Sequence, residues 1–227
     1  MGGGVKLNGL DPKAARKEAV KDMKRELIMD AAVKTIARDG YGNVRLDDIA
    51  EAAGFSKAAI YHYFPDKEAL FVHIVIREQR ADYDRYMEIM SRNLPFLETL
   101  REFAVTSCAK FCKGDGITPT PSMLSNFIVS ITKHEDLLNA SMLCMQEQIN
   151  LLRRFIAKAK KEGVLTIPVD DETVCAFIIS FFQTIMMQNT YGEWNGKADL
   201  FDINSAIDNL FTFLGPWIND ANPPKAG

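Results

Sequence analysis

The sequence has few of the features that mark secreted, membrane-spanning or disulfide-stabilised proteins. It contains only four cysteines in 227 residues, and neither their number nor their spacing indicates a disulfide framework. The most apolar stretch, Val174 to Met187, is about fourteen residues long and is interrupted by Gln183, whereas a membrane span needs about twenty. Met1 to Gly4 precede a Lys-rich polar stretch, not the apolar run of a secretory signal. We therefore expect a cytoplasmic protein that does not enter a membrane.

Patterns typical of catalytic and metal sites are also missing from the sequence. There is no Gly-rich phosphate loop and no nucleophile elbow. The histidines, His62, His73 and His134, do not accompany acids or cysteines at a recognised metal spacing. We therefore expect no enzyme activity, no metal site and no cofactor. One chemical alternative stays open, because Cys108 and Cys112 share a helix face and could form a thiol sensor.

Charge of one sign is not in large excess, and the small imbalance differs between the two parts of the chain. The formal net charge is −3. Residues 1–67 carry 12 Lys and Arg against 10 Asp and Glu, whereas residues 68–227 carry 15 against 20. A weakly basic first part can bind an anionic partner only through a few well-placed charges, not through an overall field.

Apolar residues recur at helical spacing along most of the chain, and no strand-like alternation persists. The pattern predicts an all-α protein. Long helices are expected at 12–38 (or from 13), 67–92, 95–112, 133–162, 171–190 and 202–219. A further helix is expected around Leu124, Phe127, Ile128 and Ile131. The predicted stops and caps of the long helices are Gly40, Gly163, Asp66 and either Asp170 or Asp171.

Between the first two long helices, residues 45–71 contain a distinctive pair of short helices. The first has one apolar stripe, formed by Leu46, Ile49, Ala50 and Ala53. Gly54 then ends that helix, because glycine readily adopts the left-handed conformation found after helix C-termini.

The second short helix follows at once. Ser56 can cap it, and it runs from Lys57 to Phe64 before Pro65, which pushes the preceding residue out of helical geometry. Two short helices joined by a tight turn make a helix-turn-helix, whose second helix enters the DNA major groove.

This stretch resembles the DNA-binding domain of the tetracycline-repressor (TetR) family. The residues that carry the resemblance are Ile49-Ala50, Ala53-Gly54-Phe55-Ser56, Ile60-Tyr61-His62-Tyr63-Phe64, Lys67 and Leu70. The resemblance covers roughly residues 20–75. It implies an all-helical regulator with a three-helix DNA-binding domain at 12–75 and a larger effector-binding and dimerisation domain at 76–221.

The resemblance also implies how such a protein works. It would be a homodimer on double-stranded operator DNA, usually a repressor that a small molecule releases, although an activator remains open. The alternative from another class is a helical thiol-based redox sensor or enzyme that does not bind DNA.

Three departures from the family pattern affect the expected DNA contacts. Arg45 stands where the family usually has a capping Thr, so the cap must come from elsewhere, for which Asn43 is a candidate. Ala58-Ala59 can pack against a thymine methyl group but cannot hydrogen-bond to a base. Asp47 and Asp48 should face away from DNA or hold Arg45, because a carboxylate repels a phosphate.

The predicted DNA-contacting residues lie in and beside the second short helix. Tyr61 and Lys67 should anchor phosphates, Lys67 from the N-terminus of the long helix, and Lys57 is the best candidate for a guanine contact. The full predicted set is Arg45, Ser56, Lys57, Ala58, Ala59, Tyr61, His62, Tyr63 and Lys67.

The helices at 171–190 and 202–219 carry apolar residues on more than one face, so they need a partner beyond the internal core. The resemblance suggests that they pair with their copies in a four-helix interface, although a purely internal core is the alternative. Two copies would then present recognition helices about 34 Å apart, which matches successive major grooves.

The second domain also provides candidates for an effector pocket. The long helix from Lys67 would transmit ligand binding to the DNA-binding domain. Large apolar side chains and a few polar ones suit a mostly apolar, aromatic or acyl-containing molecule. The predicted lining is Phe103, Thr106, Ser107, Phe111, Met123, Phe127, Gln148, Phe155, Phe177 and Phe181.

Overall fold

The computed structural model describes residues 12–112, 131–194 and 202–219. Every regular element of more than one turn in these ranges is a helix, which confirms the all-α prediction. The α-helices are α1 (Pro12–Asp39), α2 (Leu46–Ala52), α3 (Lys57–Tyr63), α4 (Lys67–Ser91), α5 (Phe96–Cys112), α6 (Glu135–Lys161), α7 (Asp171–Trp194) and α8 (Ile203–Leu214). The helix expected around residues 124–131 lies almost entirely outside the described residues.

Aspartates cap three of the helices at their N-termini. Asp66 accepts a hydrogen bond from a first-turn backbone N–H of α4 at 2.6 Å, as predicted. Asp170, not Asp171, caps α7, through the backbone N–H and the hydroxyl of Thr173. Asp202 caps α8. Because the Thr173 hydroxyl donates to it, the pKa of Asp170 lies below its ordinary value.

Glycines end α1 and α6 as predicted. Gly40 has φ 80° and Gly163 has φ 72°, a region that side-chain-bearing residues rarely adopt. After α6 the N–H of Val164 donates to the carbonyl of Ala159 at 2.9 Å, and that of Gly163 to Lys160 at 3.0 Å. This pair of bonds is a Schellman motif, which satisfies carbonyls left open at the helix end.

Contacts divide the chain into two compact units, Met1–Leu70 and Phe71–Gly227, so the division falls within α4 after its first turn. The assignment of DNA binding to residues 12–75 and effector binding to 76–221 remains a prediction. None of the helices in the described ranges has both the length and the apolar character that a bilayer crossing requires.

In the first unit, α1 packs on α2 and α2 packs on α3. The largest side chains fully buried here are Ile28, Val44, Ile49, Ile60, Phe64 and Leu70. Not every apolar residue of α1 faces this core, since Leu27 is 51% exposed whereas Ile28 and Met29 are buried. A helix turns about 100° per residue, so neighbouring residues lie on different sides of the buried stripe.

The second unit has its own core between α5, α6, α7 and α8. Helix α5 packs on α7 and α8, and α6 packs on α7. The side chains with no or almost no exposure include Leu100, Ile156, Ile207, Leu210 and Leu214. From α7 the inward residues are Val174, Cys175, Ile178, Phe182 and Ile185.

The last helix is shorter than predicted. It ends at Leu214, and Gly215–Trp217 form a single 3-10 turn. Pro216 has no N–H for the helical ladder, which is a physical reason for the change. Beyond the turn, Ile218 forms an isolated antiparallel bridge with Leu165, which connects the residues after α8 to the loop after α6.

Candidate nucleic-acid interface and effector-binding helices

The turn between α2 and α3 is built by the backbone. Gly54, with φ +74°, donates its N–H to the carbonyl of Glu51 at 3.1 Å, while Phe55 donates to Ala50 at 2.8 Å. These bonds are again a Schellman motif, and they set the angle at which the chain leaves α2. The predicted stop at Gly54 is confirmed, and the two short helices form the predicted helix-turn-helix.

The start of α2 differs from the expected arrangement. Asn43 does not cap α2, because its side-chain amide donates to the carbonyl of Asp39 and so closes the end of α1. The guanidinium of Arg45 has no acceptor and cannot cap a helix. Instead the carboxylate of Asp48 accepts the backbone N–H of Arg45 at 2.8 Å, the reciprocal half of a capping box. Asp48 therefore holds Arg45 through its backbone, and the Arg45 side chain is exposed.

The recognition helix α3 begins as predicted. Ser56 Oγ accepts the N–H of Ala59 at 3.2 Å. Lys57, Ala58 and Tyr61 are exposed, whereas Ala59 is half-buried. The exposed side of α3 thus presents a cation, a methyl group and a phenol, which can contact phosphates and base edges.

Lys57 is not free, however. Its Nζ lies 2.7 Å from Oδ2 of Asp47 on α2. This hydrogen bond to Asp47 raises the pKa of Lys57, so the ammonium stays charged at neutral pH. Sequence reasoning missed this pair because the two residues are ten positions apart and meet only after the helix-turn-helix has folded.

Aromatic side chains pack against each other at the end of α3. The ring of Tyr63 lies edge-on to His62 at 5.4 Å and to Phe55 at 6.1 Å between centroids. Tyr63 is half-buried, while His62 is exposed. Among the predicted DNA-contacting residues, Tyr63 thus also packs against Phe55, which lies between the two short helices.

Lys67 takes partners within the protein that differ from the predicted phosphate. Its Nζ donates to the carbonyl of Tyr41 at 2.8 Å and to that of Val44 at 2.9 Å. The ammonium also lies 4.4 Å from the centroid of the Tyr41 ring. Burial is the main reason why the pKa of Tyr41 rises to about 12, so this ring remains a neutral phenol beside the ammonium. Lys67 therefore ties α4 to the loop between α1 and α2.

Four of the predicted effector-pocket residues are buried or half-buried in the second unit. The rings of Phe103 and Phe155, both buried, lie 5.8 Å apart. Ser107 Oγ donates to the Phe103 carbonyl and is 2.7 Å from the hydroxyl of Tyr86. Thr106 is half-buried. The side chain of Phe111, and all of Met123 and Phe127, lie outside the described residues.

A fifth predicted pocket residue, Gln148, is half-buried and contacts a polar face of α4 that sequence reasoning missed. Its side-chain amide donates to the backbone carbonyl of Gln79 at 2.7 Å, and Ser141 donates to the Gln79 side chain at 3.2 Å. Asp82 is buried and pairs with Arg85. The spacing of Gln79, Asp82 and Tyr86 was the available signal, because such residues share one face of a helix.

The two remaining pocket candidates, Phe177 and Phe181, belong to α7. Phe177 is 42% exposed and stacks at 5.2 Å on Phe213, which is 53% exposed. Phe181 is half-buried next to Phe177, and Trp217 lies 5.8 Å from Phe213. We call these four rings the α7–α8 aromatic face. Phe181 and Trp217 also pack against the core that contains Phe103 and Phe155, and the single predicted lining stays a prediction.

A groove of about 330 Å³ lies between α6 and α7. Ile149, Ala176 and Ile179 form its apolar wall, and Arg153 and Glu172 lie at its edge. It contains none of the predicted effector residues.

The thiols in the described residues do not resemble a sensor. Cys144 and Cys175 are buried, and burial is the main cause that raises the pKa of Cys175 to about 11. A thiol with so high a pKa is almost entirely protonated at neutral pH and is a poor nucleophile. The side chains of Cys108 and Cys112 lie outside the described residues. No group of His, Cys, Asp and Glu in the described part of the chain could hold a metal ion.

Comparison with known proteins matches the site to one family. The profile of "Bacterial regulatory proteins, tetR family" matches residues 28–74, which include α2, α3 and the start of α4. The HTH-type transcriptional regulator RutR of Escherichia coli strain K12 is 40% identical over 73 residues, which are 32% of each chain. The match thus spans about a third of the length of this curated relative.

The whole fold is also found among solved structures. The fatty acid degradation regulator FadR from Bacillus halodurans superposes with a TM-score of 0.63 at 19% identity, over 91% of this chain and 96% of that one. The transcriptional regulator FadR from Bacillus subtilis, in complex with stearoyl-CoA, superposes with a TM-score of 0.62 at 17% identity, over 83% and 96%. At these identities the likeness establishes the fold alone.

Proposed function

Because its helix-turn-helix domain and its fold make this chain a TetR-family transcriptional regulator, we propose that it is a dimeric, ligand-responsive repressor that leaves its operator when a small apolar effector binds. The observation that carries the proposal is the exposed α3, held by Gly54 and Ser56 in a helix-turn-helix. A recognition helix of this kind reads bases from its N-terminal residues.

The proposed DNA contacts follow from exposure and chemistry. Lys57, Ala58 and His62 would face the major groove, while the exposed hydroxyl of Tyr61 and the guanidinium of Arg45 would reach phosphates. Ser56 is assigned a capping role first, since its hydroxyl is already bonded to Ala59. Ala59 and Tyr63 would make packing contacts, and Lys67 would act mainly by placing α4.

The proposed effector site lies among α4, α5 and α6. A mostly apolar ligand would pack against Phe103 and Phe155, and the polar face of Gln79, Tyr86 and Gln148 would orient it. The stearoyl-CoA named for the Bacillus subtilis FadR structure supports an acyl-containing molecule as the first class to test. The ligand must favour one arrangement of α4 over another, since equal affinity for both states would shift nothing.

The proposed dimer forms through the α7–α8 aromatic face. Exposed large aromatic side chains that stack on each other form an apolar patch, and such patches mark interaction sites in soluble proteins. A two-fold axis through this face would place the same helices of both copies in contact, as in a four-helix interface.

The test begins with selection of duplexes from a random pool by the full-length protein, followed by fluorescence anisotropy on a selected duplex. We expect preferential binding to a two-fold-symmetric sequence, and loss of binding when a long-chain acyl-CoA is added. A scrambled duplex and free coenzyme A are the matched controls.

Failure to enrich any sequence would reject the DNA-binding proposal. Enrichment without release by any acyl compound would reject only the acyl class. Release by peroxide that disappears in a Cys108→Ser, Cys112→Ser double variant would instead favour the thiol alternative.

A further inference from the structure

An acidic side chain lies beside the start of the recognition helix. Asp47 belongs to α2, and its Oδ2 is 2.7 Å from Nζ of Lys57, the first residue of α3. The Lys57 side chain is 73% exposed and that of Asp47 34% exposed. The other carboxylate oxygen of Asp47, Oδ1, is buried and accepts no hydrogen bond from the described residues. The ammonium of Lys57 is thus the cation that pairs with the carboxylate of Asp47.

We propose that Asp47 is a specificity-determining residue, which withholds Lys57 from the phosphates of arbitrary DNA and yields it only to a base contact. The proposal rests on the proposed function, because it assumes that α3 enters the major groove. It assigns a role in DNA discrimination to a residue that cannot itself bind a phosphate.

The argument starts from what Lys57 would do alone. A lysine that contacts a phosphate releases counterions and adds affinity for any sequence. While the pair with Asp47 is closed, the two charges cancel, so the start of α3 attracts non-operator DNA only weakly. If Lys57 turns to a phosphate, the carboxylate of Asp47 is left near the DNA backbone and repels it.

A correct base changes this balance. Guanine offers two acceptors, O6 and N7, at fixed positions in the major groove. A charge-assisted hydrogen bond there can replace the bond to Asp47, whereas a phosphate contact adds the same attraction everywhere. Asp47 therefore reduces binding to arbitrary DNA more than binding to an operator that places guanine opposite Lys57.

A second cation, Arg45, lies near Lys57, but Asp47 pairs with Lys57 and not with Arg45. The charge of Arg45 is close enough to oppose the rise in the pKa of Lys57 that Asp47 causes. Arg45 is exposed and its side chain is not paired with Asp47 or Asp48 by any bond in the described residues. The acid thus restrains Lys57 selectively and leaves Arg45 available for a phosphate.

The experiment compares four full-length variants with the wild type: Asp47→Asn, Lys57→Met, the double variant, and Glu51→Gln as the control. Glu51 lies on the same helix, and its substitution removes the same charge without touching Lys57. Anisotropy titrations over a salt series use a duplex selected by the wild type and a random-sequence duplex. Thermal melting confirms that each variant is folded.

We expect Asp47→Asn to bind the random duplex several-fold more tightly. The slope of log K against log salt should be steeper by about 0.9, which corresponds to one added phosphate contact. Its affinity for the selected duplex should rise less, so that the ratio of the two affinities falls. Lys57→Met should weaken binding to the random duplex, and adding Asp47→Asn to Lys57→Met should not steepen the salt slope, because no Lys57 ammonium is left to reach a phosphate.

Equal gains from Asp47→Asn and Glu51→Gln would overturn the proposal, because net charge would then explain both. An unchanged affinity ratio, or additive single and double variants, would overturn it as well. A wild type that enriches no duplex would refute the proposed function itself, a result recognisable before any variant is made.

Discussion

At the scale of single residues, a side chain of the family signature has two separable roles. Lys67 matches the signature position from which a phosphate contact was predicted, yet its ammonium bonds to the carbonyls of Tyr41 and Val44. A lysine head group has three donors, so bonding to two carbonyls restricts where the third can point. Lys67 is therefore first a connection between α4 and the α1–α2 loop.

The residue-scale prediction is that Lys67→Met destabilises the fold. It leaves two carbonyls without their donor and removes the cation from the Tyr41 ring, which should cost about 1–3 kcal/mol. Urea denaturation followed by circular dichroism measures this loss. Lys57→Met is the control, since an exposed ion pair contributes at most about 1 kcal/mol.

The opposite result would support the phosphate contact predicted for Lys67. If Lys67→Met unfolds at the wild-type urea concentration but loses affinity for every duplex, with a salt slope lower by about one phosphate contact, then Lys67 is a phosphate anchor.

At the scale of elements, two glycines perform the same local task in different places. Gly54 ends α2 and Gly163 ends α6, each at positive φ and each in a Schellman motif. A Cβ added at either position would meet nothing within 4 Å. The cost of substitution is therefore conformational and comparable at the two sites, which makes them a matched pair.

We predict that Gly54→Ala and Gly163→Ala each lose about 1–2 kcal/mol of stability, because alanine is strained in the left-handed region. Only Gly54→Ala should also weaken binding to a selected duplex, since that glycine sets the angle between α2 and α3. Denaturation and anisotropy on the same samples separate the two effects. Equal DNA affinities for both variants would contradict a role of the turn in placing α3.

At the scale of the whole molecule, the exposed apolar side chains of α7 and α8 bear on whether the protein is a monomer or a dimer. Helix α7 has Ile178 and Phe182 inward and Phe177 outward, and α8 has Leu210 inward and Phe213 outward. The inner residues complete the core of the unit, so the outer rings are available for a partner. A dimer would also supply the two recognition helices that a two-fold-symmetric operator requires.

We predict that Phe213→Arg converts the protein into a monomer at micromolar concentration, measured by analytical ultracentrifugation. An arginine placed in the apolar face would have to bury an unpaired charge in the interface. Leu143→Arg on α6 is the control, because Leu143 is 61% exposed and lies outside the α7–α8 aromatic face. A wild type that sediments as a monomer, or a Phe213→Arg variant that stays dimeric, would rule out this interface.

Sequence alone determined the features whose causes are local. Helix limits at Gly40, Gly54 and Gly163, the cap at Ser56 and the helix-turn-helix itself follow from backbone preferences and from bonds that span a few residues. The same holds for the family, because its signature lies in one short stretch matched at fixed spacings.

Only the tertiary structure decided which groups the side chains contact. Lys57 meets Asp47 ten positions away, Lys67 reaches Tyr41 across twenty-six, and Gln148 reaches Gln79 across sixty-nine. Periodicity defines a helix face but does not say what packs against it, so it could not show that Phe177 is 42% exposed and stacks on Phe213. The physical reason is that hydrogen bonds and apolar burial are satisfied in space, by whichever groups folding brings together.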